Sequence, residues 1–92
     1  MKFLVFAKLR IGANIPEENA PALLQTAREW INERLENKTL DCIYNLPAGG
    51  GVAIVNANSH EVLTEHLSTY PLQPWYQYEV HPLSDVFQAL GG

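Results

Sequence analysis

The stretch Leu40-Asp41-Cys42-Ile43-Tyr44-Asn45-Leu46-Pro47-Ala48-Gly49-Gly50-Gly51-Val52-Ala53-Ile54-Val55 decides the fold. Leu40, Cys42, Tyr44 and Leu46 alternate with Asp41, Ile43 and Asn45, the period of a strand, and Val52 to Val55 is rich in the β-branched residues that strands favour. Pro47 to Gly51 breaks the pattern between them, so the two strands are joined directly as a hairpin. A phosphate-cradling loop needs strand-loop-helix order and a closing Lys-Ser/Thr, whereas these glycines run straight into a strand.

Working outward, each arm of the hairpin meets a helix pattern. Upstream, Leu24, Ala27, Ile31 and Leu35 recur at three- and four-residue intervals, flanked by Leu23 and Trp30. That spacing predicts a helix from about Ala20 with one buried stripe. Pro21 fits its first turn, where a missing amide donor costs nothing, and Asn37-Lys38 is its stop. Downstream, Asn58 and Glu61 have the spacing of a capping box and lead into Val62, Leu63, His66, Leu67 and Tyr70. Pro71-Leu72-Gln73-Pro74 ends this second helix. At the two ends of the chain lie further alternating segments. Lys2 to Arg10 places Phe3, Val5, Ala7 and Leu9 on one face, and Trp75 to His81 alternates aromatic and polar groups before Pro82 closes it.

The order is therefore β-α-β-β-α-β, the ferredoxin-like split arrangement with an antiparallel sheet, an α+β class. Two helices cover only one face of a four-stranded sheet. Leu4 and Phe6 make the second face of the first strand apolar as well, so that face calls for a partner or a ligand. A chain of 92 residues folds as one domain, with a core over about 1–82 and a C-terminal tail over 83–92. A compact monomer of this size exposes about 5,300 Å².

Six basic against ten acidic residues give a net charge of -4 without any run of Lys or Arg, which argues against nucleic acid as a partner. The apolar stretches are too short to span a bilayer, and the N-terminus lacks a secretory signal pattern, so the expected location is cytoplasmic. The lone Cys42 excludes an internal disulfide and a thiolate zinc cluster. His60, His66 and His81 lack the helical i, i+4 spacing of a metal site, so neither metal nor cofactor is expected.

Met1 to Val5, Glu33-Arg34-Leu35, the hairpin, and above all Tyr70-Pro71-Leu72-Gln73-Pro74-Trp75 followed by Tyr78-Glu79-Val80 resemble the muconolactone delta-isomerase family over about residues 1–82. The resemblance implies a dimeric α+β barrel formed through the sheets, possible assembly into larger rings such as decamers, and proton transfer within a small unsaturated lactone or organic acid. It also implies an acid in the first helix, a role that Glu29 fills by a one-position offset. A histidine is implied after the second strand, where this chain has glycine.

Glu29 is accordingly the candidate proton carrier. Lys8 and Arg10 are candidate anchors for a carboxylate, and Tyr44 is a candidate hydrogen-bond donor to a carbonyl. His66 and His81 are further candidates at the borders of a cavity. Trp75 and Tyr78 have apolar bodies and polar tips suited to a pocket or to a subunit contact. Each has a plain structural reading as well: a solvated helix carboxylate, exposed strand-end cations, border histidines and packed aromatics. The alternative to a small-molecule isomerase is a non-catalytic oligomeric binding or structural protein on the same scaffold.

Overall fold

The computed structural model describes residues 1–12 and 14–91. The elements are β1 (Lys2–Leu9), α1 (Ala20–Glu36), β2 (Leu40–Asn45), β3 (Gly51–Asn56), α2 (His60–Ser68), a 3-10 turn (Gln73–Trp75), β4 (Tyr76–Leu83) and α3 (Val86–Ala89). The sheet order is β2-β3-β1-β4, antiparallel throughout. The β-α-β-β-α-β reading and the ferredoxin-like class therefore hold, with α3 added in the tail.

α1 and α2 pack on one sheet face. Phe3, Val5, Leu40, Val55, Ala57 and Leu63 form the buried core, and Trp30, Ile31, Leu35, Val62 and Leu67 of the helices pack against it. On the other face, Leu4, Phe6, Cys42, Val52 and Ile54 remain only partly buried. The chain exposes 6519 Å², about a fifth above the compact-monomer expectation. Val86 and Phe87 of α3 and the following Leu90 are exposed as well, and the molecule is elongated, 53 × 28 × 24 Å.

Local chemistry explains the helix ends. Pro21 occupies the first turn of α1, and the helix stops at Asn37 because Lys38 turns into the left-handed region at φ 67°. The N-cap of α2 is Ser59, whose Oγ accepts from the Val62 amide, so a single serine cap one residue further on replaces the expected Asn58–Glu61 capping box. Ser59 wins because its extended backbone is the conformation an N-cap needs.

Three strand expectations are corrected. A bulge at Asp41 breaks the parity of β2: Leu40 pairs with Val55 and Cys42 with Ile54. Leu40 and Ile43 thus share the helix-covered face, while Cys42 and Tyr44 fall on the open one, so the single alternating series does not survive. Trp75 belongs to the 3-10 turn that Pro74 initiates, its amide donating to the Leu72 carbonyl at 3.1 Å. β4 continues through Pro82 to Leu83, which is tolerated because β4 is an edge strand.

Candidate functional site

The helix-facing side of the sheet changes character along its length. Phe3, Val5 and Val55 fill the space under the helices at one end, whereas the positions at the other end are Ala7, Gly51 and Ala53, which project little or nothing. Small residues there leave a cavity of about 300 Å³ between α1, α2 and the sheet. Its floor includes Val5, Ala7, Ile43 and Ala53, and its roof includes Trp30, Ile31 and Leu67. Tyr70, Tyr76 and Tyr78 supply an aromatic side. The Trp30 and Tyr70 rings meet at 5.0 Å between centroids, and Tyr70 and Tyr76 at 6.2 Å.

These aromatic groups are positioned by specific contacts. The Trp30 Nε1 donates to Thr69 Oγ1 at 3.0 Å, tying α1 to the end of α2. The Arg34 guanidinium lies 4.1 Å over the Trp30 ring, a cation-π contact on an indole that the cavity shares. The Pro71–Pro74 segment then brings Tyr70 and Tyr76 to the same margin. Tyr78 sits opposite Ala7 in the ladder, on the helix-facing side. Its hydroxyl is buried without a hydrogen-bond partner among the described residues. Burial is the leading cause that raises the Tyr78 phenol well above its ordinary range, with the neighbouring phenols Tyr70 and Tyr76 adding to it, so the group stays a neutral donor. The Tyr70 phenol is raised in the same direction, again chiefly by burial.

Of the residues singled out in the sequence, Tyr78 and Tyr44 line this cavity. Tyr44 is 66% exposed, and its register with Val52 places its side chain on the open face, so it borders the cavity. The others lie elsewhere. Glu29 is exposed on α1 and accepts from Gln25 Nε2 at 3.2 Å. Lys8 lines a separate hollow of about 540 Å³ with Leu9, Leu46 and Pro47–Gly50. Exposed Arg10 donates from Nε to the Tyr76 carbonyl at 3.1 Å, and its amide donates to the Trp75 carbonyl at 2.9 Å. His66 is half-buried on α2 and Trp75 is half-buried in its turn. His81 lies 3.2 Å from Glu79 Oε2 and stands edge-on to Phe6 across the open face. The cavity therefore does not gather Glu29, Lys8, Arg10, His66, Trp75 and His81 at one point.

Trp30 and Tyr70 line the cavity although neither is among the candidate site residues of the sequence. Ala7, Gly51 and Ala53 at helix-facing strand positions were the available signal for a space beneath the helices. Among the described residues, no group of three or more His, Cys, Asp and Glu gathers closely enough to hold a metal ion, and no helix is long and apolar enough to cross a membrane.

An antiparallel four-stranded sheet with its helices on one face and an aromatic cavity between the layers defines a ferredoxin-like α+β protein. Within that class, the chain belongs to the muconolactone delta-isomerase family, whose sequence model matches residues 1–88. Among solved structures, it is similar to a muconolactone isomerase at TM-score 0.77 and 22% identity, covering 92% of this chain and 90% of that one. It is also similar to the 5-chloro-2-hydroxyhydroquinone dehydrochlorinase of Burkholderia phenoliruptrix in complex with 2,5-dihydroxybenzoquinone, at TM-score 0.61 and 14% identity, covering 91% and 94% of the two chains. No curated protein sequence matches the chain.

Proposed function

We propose that the chain binds a small oxygenated ring between α1 and the sheet. The observation that carries this reading is the cavity of about 300 Å³ walled by Trp30, Tyr70, Tyr76 and Tyr78. Flat aromatic walls suit a flat guest, the volume suits one ring with short substituents, and few polar groups orient it. The two similar structures support a guest of this kind, since one is named for a lactone and the other holds a dihydroxybenzoquinone. Titration calorimetry with unsaturated lactones and hydroxyquinones tests the reading: saturable heat from at least one of these rings is expected. Absence of heat across both classes refutes it.

Family membership favours a second reading, in which the bound ring undergoes a proton or double-bond shift. Glu29 is then the proton carrier, Lys8 or Arg10 the carboxylate anchor and Tyr44 the orienting donor, with the cation and carboxylate reaching the ring from outside the cavity lining. Deuterium uptake into a lactone in heavy water separates the two. An isomerase using Glu29 loses exchange in Glu29→Gln while retaining assembly, whereas a binding protein gives heat without exchange in either form.

The half-buried surface of Leu4, Phe6, Cys42, Val52 and Ile54 supports a homo-oligomer in which two sheets stack back to back. Stacking would hide apolar area that the helices, committed to the other face, leave uncovered.

A further inference from the structure

One cation stands against a wall of the cavity without lining it. Of the six basic residues of the chain, Arg34 alone is not exposed: its side chain is 18% accessible. It follows Trp30 by four residues on α1, which puts the two on one face of the helix, and its guanidinium lies 4.1 Å from the centroid of the indole. Its other contacts are long. Nη1 donates to the Trp30 carbonyl at 3.4 Å and Nη2 to Thr69 Oγ1 at 3.5 Å, and Nε is buried without a partner among the described residues. The nearest carboxylate, Glu33 Oε2 at 3.9 Å, belongs to an exposed side chain whose charge water screens. A cation kept from water on such terms retains much of its field.

That field reaches the cavity through an aromatic ring. Trp30 belongs to the lining and Arg34 does not, so the indole separates the charge from the space and leaves no room for water between them. A flat guest lying on the indole stands about 3.5–4 Å from it, and so about 8 Å from the guanidinium. Across that distance, at an effective dielectric constant of about 20, a unit negative charge on the guest strengthens binding roughly ten- to thirtyfold. The cation also draws π density toward itself and leaves the far side of the ring less negative, which suits an electron-rich guest. The other cations are exposed to solvent, where salt screens them: Lys2 pairs with Asp41, Lys8 lies in the hairpin hollow, and Arg10 is engaged with the Tyr76 carbonyl.

We propose, resting on the reading that this cavity binds a ring, that Arg34 is a positioning residue acting on the guest through Trp30: it fixes the indole wall, and its charge, felt across the indole, favours an ionised ring over its neutral counterpart. Contact between Arg34 and the guest is not required. Lys8 and Arg10 have no part in this preference.

The test uses two molecules of one flat skeleton, 2,5-dihydroxybenzoquinone, which is ionised at neutral pH, and its neutral dimethyl ether. Calorimetry gives both affinities on wild-type protein, Arg34→Gln and Arg34→Lys, and nuclear Overhauser contacts from the ether methyl groups to the Trp30 ring report where the guest sits. The ratio of the two affinities is decisive, because the bulk of the methyl groups and any loosening of the wall cancel in it. The expected result is a ratio moved against the anion by about tenfold in Arg34→Gln, with at least part of it recovered in Arg34→Lys, which keeps the charge without the planar stack. A ratio unchanged in Arg34→Gln, including both molecules weakened by the same factor, overturns the proposal and leaves the cavity reading standing. A lysine variant that behaves as the glutamine one overturns charge as the cause. Binding without contacts to Trp30, or no binding of either molecule to wild type, overturns the cavity reading and the proposal with it. A measurement on wild type alone covers the case of variants that fail to fold: the ionisation of the bound quinone, followed by its colour against pH. A cation behind the wall moves that ionisation to lower pH than in free solution, whereas burial alone moves it higher. A raised or unmoved ionisation overturns the proposal.

Discussion

Replacing Gly50 by alanine tests how closely the hairpin approaches β1. Gly50 adopts φ +81°, and a Cβ added there would stand 2.0 Å from the Ala7 carbonyl oxygen and 3.2 Å from the Lys8 Cα. Both neighbours are backbone of β1, the central strand that also supplies Ala7 to the cavity floor, so neither yields as a side-chain tip does. Gly49 provides the control: its φ is +107°, but a Cβ there meets nothing within 4 Å. Each alanine carries a backbone strain of roughly 1–3 kcal/mol. Only Gly50→Ala adds a forced displacement, of the order of 1–3 kcal/mol for overpacking. A domain of this size has about 5–14 kcal/mol of stability in total, and each kcal/mol moves Tm by roughly 4–8 °C. Thermal unfolding followed by circular dichroism should therefore place Gly50→Ala about 5–20 °C below Gly49→Ala. Equal midpoints for the two variants would refute the close approach of the hairpin to β1.

Phe6→Glu sets a carboxylate in the middle of the open sheet face, so light scattering should find an oligomeric wild type and a variant that stays a protomer at micromolar concentration. A monomeric wild type refutes the stacked-sheet assembly. Ser59→Ala removes the side-chain cap of α2 and should cost about 1 kcal/mol in denaturant unfolding, while Asn58→Ala changes little; the reverse order would restore Asn58 as the cap. The Asp41 carboxyl is held below its ordinary value of 3.8, first by the hydrogen bond from Lys2 and then by that from Asn56. A depressed carboxyl contributes stability that is full above the unfolded value and lost as pH falls through the folded one. The gap between wild type and Asp41→Asn should therefore be widest near neutral pH and close below the folded value; a gap that is constant across that range removes the linkage.

Much of the architecture was legible because periodicity is local. Leu24, Ala27, Ile31 and Leu35 define the buried stripe of α1 without reference to the rest of the chain, and the glycines of 47–51 force the hairpin. The Asp41 bulge was not legible, since an inserted residue is visible only against the partner strand, where Leu40 meets Val55 and Cys42 meets Ile54. The cavity was hidden for a related reason. It arises where Ala7, Gly51 and Ala53 come side by side in the ladder, and each alone reads as an ordinary small strand residue. Polar groups attract attention in a sequence, which is why Lys8, Arg10 and His81 stood out, yet strand alternation and ladder position send them to the hairpin hollow, the Tyr76 carbonyl and the open face. Tyr78 combined an aromatic body with a helix-facing register and arrived at the cavity.

The extra residue at Asp41 also decides where the chain's sulfur goes. An unbroken β2 would put Cys42 on the same side as Leu40, under the helices. The shifted parity sets it opposite Ile54 and Leu4 instead, half-buried. Under the proposed stacking of two sheets, its alkylation rate becomes a clock for subunit exchange: slow while a second sheet lies over it, faster on dilution, and readable by mass without any added label.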